Sequence, residues 1–339
     1  MTDNAIHVPT LAIIVPCFCE QEVLPVTHER LRELVRGMAE RGEVAADSTV
    51  VYVDDGSTDA TWTLLHGFSE TDSSTCAVKL SGNFGHQNAI IAGMETMLRH
   101  ADVFVTIDAD LQDDIAAIPK MVEKYREGYE IVYGVRSKRA TDSWFKRNTA
   151  LAFYRLMKHL GTKSVYNHAD FRLMDRRTVG ELLRYPERNL FMRGIVPLLG
   201  FKSAVVEYER SERTAGTTKY PLSKMLSFAV DGITSFSIRP VRLVLTMGIA
   251  FVGIAIVILA YVLYSKFSGH AVSGWSSMIL SMWFIGGCIL IGLGIVGEYI
   301  GKIYIEVKGR PRYHIEATAG RKPALKTSDD GGGKNEESN

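Results

Sequence analysis

Two long runs without a formal charge constrain this chain of 339 residues more than any other feature. They cover 243–265 and 275–297. Each has about 23 residues, enough for a helix of about 34 Å, and the hydrocarbon core of a bilayer is about 30 Å thick. Buried core helices are the alternative, but soluble helices are rarely apolar on every side over such a length. We therefore predict two transmembrane helices, at 241–265 and 275–299.

Basic residues are unevenly distributed around these two runs. The loop between them carries only Lys266 and His270. The flanks carry Arg239, Arg242, Lys302, Lys308, Arg310 and Arg312. Because Lys and Arg favour the cytoplasmic side, we expect a multi-pass protein of the cell (inner or plasma) membrane with its large amino-terminal domain and both termini in the cytoplasm. Residues 1–10 lack the basic and apolar regions of a secretory signal.

Composition excludes several other classes of protein. A net charge of +1 argues against nucleic-acid binding, which normally needs a strongly basic domain. The four cysteines, Cys17, Cys19, Cys76 and Cys288, are too scattered for a disulfide scaffold or a zinc site, so we expect free thiols. Residues 321–339 have the composition of a disordered tail. Glycines in the second apolar run suit close helix contacts and are compatible with a homo-oligomer.

The amino-terminal two thirds alternates short apolar segments with helical patterns. Strand-like segments lie at 11–15, 49–53, 77–80, 103–107 and 130–134, and we expect Pro16 to end the first. Helical spacing occurs at 24–41, 87–99 and 116–126, with a further helix around Trp62 and Leu65. This alternation predicts an α/β domain with a mainly parallel sheet and helices on both faces.

Polar clusters follow three of the predicted strands. They are Pro16–Glu20, Asp54-Asp55 and Asp108–Gln112. Ligands of parallel α/β sheets bind beyond the carboxyl ends of the strands, so we expect the clusters to converge at one edge. One such cluster alone is commonly a helix cap or a turn. The sequence has neither a GxGxxG nor a GxxxxGK[ST] loop, so neither a dinucleotide fingerprint nor a P-loop is present.

Seven motifs in this order resemble those of the family 2 glycosyltransferases, which have the GT-A nucleotide-sugar (Rossmann-like) fold. They are Val15–Glu20, Val53–Asp59, Asn83–Gln87, Asp108–Asp113, Gly134–Arg136, Ala169–Arg176 and Arg213–Tyr220. With the two apolar runs, the chain is most similar to the polyprenyl-phosphate sugar transferases of the bactoprenol glucosyltransferase branch. Cys19 stands where the family usually has asparagine.

The resemblance implies roles for the residues on the donor side. Asp108, Asp110 and Gln112 would belong to a site for Mg²⁺ or Mn²⁺ and the diphosphate, and their alternation on an extended segment would place them on one side. Pro16, Phe18 and Glu20 would form the nucleotide pocket, with Asp54 or Asp55 accepting hydrogen bonds from the base or ribose. Arg213 and Lys219 would close over the diphosphate.

The resemblance also implies an acceptor. A phosphate monoester is already anionic, so it needs cations, whereas a sugar hydroxyl needs a general base. Arg136 and Arg147 match the acceptor-phosphate arginines of the family. Asp170, counted with Asp108 and Asp110 among the catalytic residues, would orient the sugar or the nucleophile.

The implied reaction is inverting transfer of a hexose, glucose from UDP-glucose, onto undecaprenyl phosphate at the cytoplasmic face for cell-envelope glycosylation. GDP-mannose, UDP-galactose and UDP-N-acetylglucosamine are alternative donors. A processive polysaccharide synthase would need more spans and a Gln-x-x-Arg-Trp motif, and a non-catalytic membrane scaffold is the remaining alternative.

The implied organisation divides the chain into a cytoplasmic GT-A domain and a membrane region. The domain covers 1–215, and amphipathic interfacial helices follow at 216–240. The two spans come next. A cytoplasmic juxtamembrane segment at 300–320 then precedes the tail.

Overall fold

The structure is a computed structural model that describes residues 8–136, 168–188, 191–209, 239–268, 274–320 and 322. These residues form two compact units. The first combines the described residues up to 209 with those from 310 onward, and the second contains 239–268 and 274–309. Arg147, Arg213 and Lys219 lie outside the described residues. The same holds for 216–238 of the interfacial helices predicted at 216–240, and for the predicted tail apart from Lys322.

The first unit alternates strands and helices as predicted. Its strands are β1 (Leu11–Cys17), β2 (Thr49–Asp54), β3 (Thr75–Leu80), β4 (Val103–Thr106), β5 (Ile131–Arg136), β6 (His168–Asp175), β7 (Ser203–Tyr208) and β8 (Ile315–Gly320). Its helices are α1 (Leu24–Glu40), α2 (Thr61–Thr71), α3 (His86–Met97), α4 (Ala117–Arg126), α5 (Arg176–Leu183) and α6 (Met192–Ile195), which a 3₁₀ turn, Val196–Leu199, follows.

All eight strands form one sheet in the order β7-β5-β6-β4-β1-β2-β3-β8. Four of the seven neighbouring pairs are parallel, namely β1 with β2, β1 with β4, β2 with β3 and β5 with β7. β6 is antiparallel to both β4 and β5. Its first residues therefore lie at the edge where β4 ends, and this edge also receives the loops after β1 and β2.

The sheet is covered on both faces, which explains its continuous apolar strands. Every residue of β1 and β2 is buried, as expected for central parallel strands. The amphipathic helix α1 buries Leu24, Leu31, Val35 and Met38 against the core and exposes its charged side chains. Burial of apolar surface is the main contribution that holds these layers together.

β1 continues past Pro16, where the sequence predicted that it would end. The Ile14 carbonyl accepts from the Ile107 amide on the β4 side, and the Cys17 carbonyl accepts from the Asp55 amide on the β2 side. This alternation directs the Pro16 nitrogen toward β4, whose pairing with β1 stops at Ile14. Pro16 therefore removes no bond from the sheet.

β8 is an edge strand in the segment that the sequence analysis assigned to a juxtamembrane connection. It pairs antiparallel with β3, and an ion pair of 2.8 Å joins Lys79 to Glu316. The residues before it are also anchored, because Arg312 Nε donates to the Glu187 carbonyl over 3.1 Å and the Tyr313 hydroxyl donates to Glu95. The end of the chain thus completes the sheet of the first unit.

The second unit contains two long helices, α7 (Arg239–Phe267) and α8 (Trp275–Val307). They cover both predicted spans, and α8 continues eight residues beyond the predicted end at 299. Among the described residues, one segment, Phe284–Val307, is long and apolar enough to cross a membrane by length and composition. By that criterion the structure supports one of the two predicted transmembrane helices. All four cysteines are free thiols, as predicted.

Candidate active site

A cavity of about 310 Å³ opens at the carboxyl edge of the parallel strands. Its lining comes from the loops after β1, β2, β3 and β4. The lining residues are Pro16, Cys17, Phe18, Glu20, Asp55, Asn83, Gly85, His86, Asp108, Ala109 and Asp110. The three polar clusters predicted to converge therefore each contribute to one cavity.

Phe18 and Cys19 are adjacent exposed residues of the loop after β1. The Phe18 ring is 47% exposed and lies on the cavity, where a planar ring could pack against it. Cys19 has a left-handed backbone, with φ of 54°, and its amide donates to Ser57 Oγ over 2.9 Å. Because asparagine adopts this conformation more readily than cysteine, the asparagine usual at this position has a backbone explanation.

The two aspartates after β2 differ in position, which the sequence left open. Asp55 lines the cavity and accepts from the amides of Phe84 and Gly85, at 2.7 and 2.8 Å. Burial raises the pKa of Asp55 above its usual value, although these two amides oppose the shift. Asp54 is fully buried, does not line the cavity, and accepts from the Ser57 amide. Of the two aspartates, Asp55 is therefore the one that faces the cavity.

Gly56 lets the loops after β2 and β3 approach each other. Its φ is +71°, and a Cβ atom there would overlap the backbone of Gly82 and Asn83. Only glycine combines this conformation with such a close approach. The contact fixes the loop that carries Asn83, Gly85 and His86 to the cavity.

The segment Asp108–Gln112 is a turn, so the predicted extended geometry is wrong. Leu111 has φ of 44°, and its amide donates to the Asp108 carbonyl over 3.2 Å. The Gln112 amide donates to Asp110 Oδ1. Because the chain reverses here, Asp108 and Asp110 line the cavity, whereas Gln112 is 5% exposed and does not.

Of the three predicted cation ligands, the carboxylates of Asp108 and Asp110 line the cavity and the Gln112 side chain does not. Nowhere in the described part of the chain do three or more His, Cys, Asp or Glu side chains form a metal-binding group. Two carboxylates nevertheless suit Mg²⁺, which commonly takes one or two from the protein and completes its shell with phosphate oxygens and water.

His86 is a cavity residue to which the sequence analysis gave no role. Its Nε2 lies 3.0 Å from Asp108 Oδ1, and its side chain is 44% exposed. Burial opposes protonation, but the hydrogen bond and the charge of Asp108 outweigh it and raise the pKa of His86. His86 lies within the motif Asn83–Gln87, and that motif is the sequence feature that could have indicated a role for it.

Asp170 lies between two guanidinium groups. Arg172 Nη2 is 2.6 Å from Asp170 Oδ1, and Arg193 Nη2 is 3.0 Å from Oδ2. Burial favours the neutral acid, but the two arginines prevail and hold the pKa of Asp170 far below its ordinary value. Arg172 is fully buried, so this carboxylate also compensates an interior charge. Neither arginine was predicted to act here.

Arg136, a predicted acceptor-phosphate residue, is engaged within the domain. Its Nη2 lies 3.1 Å from Asp113 Oδ1, and its Nε donates to the Tyr208 hydroxyl over 3.2 Å. The Tyr208 hydroxyl in turn donates to Asp113 over 2.6 Å. The structure thus places Arg136 in a largely buried network, and Arg136 is not among the residues that line the cavity.

Comparison with known proteins assigns the sequence to a family. The model of the family "Glycosyl transferase family 2" matches residues 12–183. The uncharacterized glycosyltransferase YkoT of Bacillus subtilis (strain 168) is 53% identical, over 91% of both chains. The bactoprenol glucosyl transferase of Shigella phage SfX is 38% identical, over 91% of this chain and 99% of that protein.

Solved structures also resemble the chain. One is the structure of glucosyl-3-phosphoglycerate synthase from Mycobacterium tuberculosis in complex with Mn²⁺, UDP-glucose and phosphoglyceric acid. The two sequences are 17% identical, the superposition covers 67% of this chain and 78% of the synthase, and the TM-score is 0.43. The family match and the sheet identify the first unit as a GT-A type α/β fold. The chain therefore belongs to glycosyl transferase family 2 and is a glycosyltransferase.

Proposed function

We propose that this chain is a hexosyltransferase that moves glucose from UDP-glucose onto undecaprenyl phosphate at the cytoplasmic face of the membrane, with inversion at the sugar. The observation that carries this proposal is the likeness to bactoprenol glucosyl transferases over 91% of the chain. A likeness of that extent cannot be confined to the family domain at 12–183. It favours a shared acceptor as well as a shared fold.

The cavity supplies the groups that a nucleotide requires. The exposed ring of Phe18 offers a face for the uracil base, and aromatic packing of this kind is favourable. Asp55 already accepts two backbone amides, but each carboxylate oxygen has a second lone pair for a base or ribose donor. Pro16 and Glu20 complete this side of the cavity.

Asp108 and Asp110 would hold a divalent cation beside the nucleotide. Bound Mg²⁺ or Mn²⁺ would neutralise the charge that develops on the leaving diphosphate. Gln112 follows in the same turn, and a role as a ligand would require its side chain to leave its buried position. Arg213 and Lys219 remain the proposed closing residues for the diphosphate.

The acceptor of this reaction is an anionic lipid phosphate, so its binding site needs positive charge and has less need of a general base. An oxygen of the lipid phosphate would attack the anomeric carbon as the bond to the diphosphate breaks, so a single displacement inverts the centre. Asp170, held ionised by two arginines, is a weak base and suits an orienting role. Arg136 and Arg147 remain the proposed contacts for the acceptor phosphate.

We further propose that α7 and α8 both cross the membrane. The segment Phe284–Val307 supports this for α8. On α7, large apolar side chains are exposed along the helix at Met247, Ile249, Ile254, Ile256 and Val257. A helix with such side chains exposed to water would be unstable. Interfacial helices at 216–240 would then bring the cavity to the lipid headgroups.

Membranes with radiolabelled UDP-glucose test the proposal. We expect label to enter an organic-extractable lipid when undecaprenyl phosphate and Mg²⁺ or Mn²⁺ are supplied. Asp110→Asn should reduce this transfer at least about 100-fold, since charge neutralisation at a leaving group is commonly worth that much. Asp47→Asn is the matched control, because Asp47 is exposed just before β2 at the opposite edge of the sheet.

The possible results separate the parts of this proposal. Absence of label in the lipid with every nucleotide sugar, including GDP-mannose, UDP-galactose and UDP-N-acetylglucosamine, would refute the acceptor assignment. Label from one of these other donors alone would change the sugar and keep the reaction. Unchanged transfer by Asp110→Asn would refute the cation site.

A further inference from the structure

We infer that His86 is a positioning residue, which holds the Asp108 carboxylate in the orientation that a divalent cation at the diphosphate site requires. This inference rests on the proposed function, because it assigns Asp108 to that cation. It adds a residue from the loop after β3 to a site otherwise built from the turn after β4. Both His86 and Asp108 belong to the part of the chain that the structure describes.

A hydrogen bond joins the His86 imidazole to the Asp108 carboxylate. His86 Nε2 lies 3.0 Å from Asp108 Oδ1. The imidazole therefore bonds one carboxylate oxygen, and Oδ2 stays open to a second partner. Side chains that ligate metals are commonly oriented by such outer hydrogen bonds.

The position of Asp108 makes this support necessary. Asp108 follows β4 in an irregular turn, and its side chain is 49% exposed. An exposed carboxylate on a turn can adopt several rotamers, so ordering it for a cation has an entropic cost. A hydrogen bond to a fixed donor reduces that cost before the cation arrives.

The backbone that carries His86 is anchored. It is the first residue of α3, and the preceding residue, Gly85, has φ of 92°. The Gly85 amide donates to Asp55, the cavity aspartate on the nucleotide side. Asp55 thus fixes the loop, the loop places His86, and His86 orients Asp108. The nucleotide side and the cation side of the cavity are connected through two adjacent residues.

The affinity for Mn²⁺ measures how far His86 orients Asp108, and this measurement does not depend on catalytic activity. The purified full chain in detergent is titrated with Mn²⁺ in the presence of UDP, and free Mn²⁺ is followed by electron paramagnetic resonance. His86→Phe keeps a ring but removes the donor, and we expect the Kd for Mn²⁺ to rise about 10- to 100-fold. His86→Gln retains an amide donor and should recover most of the affinity.

A matched control uses another histidine paired with a carboxylate. His66 lies 3.6 Å from Glu70 on the exposed face of α2, and His66→Phe should leave the Kd unchanged. Thermal unfolding of each variant checks folding, and His86→Ala replaces His86→Phe if the latter is unfolded. Equal Kd values for wild type and the donor-less variant would overturn the inference while leaving the proposed function intact. Absence of Mn²⁺ binding by the wild type would overturn the inference and the proposed Mn²⁺ site together.

Discussion

Backbone conformation at single residues marks the loops of the candidate active site. Among the residues that the structure describes, Cys19 and Leu111 are the only non-glycine residues with positive φ. Both lie in loops that line the cavity, one after β1 and one after β4. A left-handed backbone is costly for residues other than glycine, asparagine and aspartate, and such strain concentrates at functional sites.

Cys19→Asn should stabilise the protein. Asparagine tolerates φ near 54° better than cysteine does, so we expect the free energy of unfolding to rise by about 1 kcal/mol. Thermal unfolding in detergent would measure it, with Cys19→Ser as the control that lacks the conformational preference. Equal melting temperatures for the Asn and Ser variants would contradict this explanation.

Asp170→Asn should destabilise the protein as well as inactivate it. The substitution leaves the fully buried Arg172 without its carboxylate, and breaking a buried ion pair commonly costs about 3–5 kcal/mol. Arg193→Gln is the comparison, because Arg193 is 42% exposed and its loss keeps the Asp170–Arg172 pair. A melting temperature of Asp170→Asn equal to that of Arg193→Gln would show that Asp170 has no structural role.

Sequence patterns predicted which loops meet at the cavity, but they could not predict side-chain partners. Their places after strands predicted that Asp108, Asp110 and the pair Asp54-Asp55 would lie near one edge, but the sequence left open which member of the pair lines the cavity. The buried position of Gln112 depends on the reversal at Leu111, which no local pattern signals. The pairing of Arg136 with Asp113 and Tyr208 depends on contacts between residues distant in sequence. His86 had a motif but no distinguishing chemistry until Asp108 was placed beside it.

At the scale of elements, alternation of strands and helices predicted the central strands because their burial makes them continuously apolar. β8 was not predicted, because an edge strand needs no continuous apolar run. Most of its residues alternate between exposed and half-buried. β6 was not predicted as a strand either. Its insertion between β4 and β5 is a non-local pairing that positions Asp170 near the cavity.

Gly320→Ala tests how firmly β8 is attached. Gly320 has φ of +88°, and a Cβ atom there would overlap the Thr75 carbonyl of the neighbouring β3. We expect a loss of about 2 kcal/mol in the free energy of unfolding. Gly42→Ala is the matched control, with φ of +67° and no atom within 4 Å of the added Cβ, so it carries the backbone strain alone. Equal losses in the two variants would show that the β8 contact contributes nothing.

At the scale of the whole molecule, the proposed membrane topology predicts which residues face the outside of the cell. A membrane-impermeant maleimide should label a cysteine introduced by His270→Cys in intact cells. It should label the native Cys19, which is exposed in the first unit, only after the membrane is permeabilised. Cys19→Ser in the His270→Cys chain separates the two signals. Labelling of Cys19 in intact cells would place the glycosyltransferase domain on the other side.

The pairing of β8 with β3 also determines when, during synthesis of the chain, its first unit can finish folding. A ribosome synthesises β3 early, but β8 emerges only after α7 and α8 have been made. Until then the edge of β3 has no neighbouring strand on that side, and such edges invite aggregation. The domain therefore finishes folding only once the segments proposed to enter the membrane have been translated. Folding of the glycosyltransferase domain is thus completed after α7 and α8 are made, when the chain can already be at the membrane.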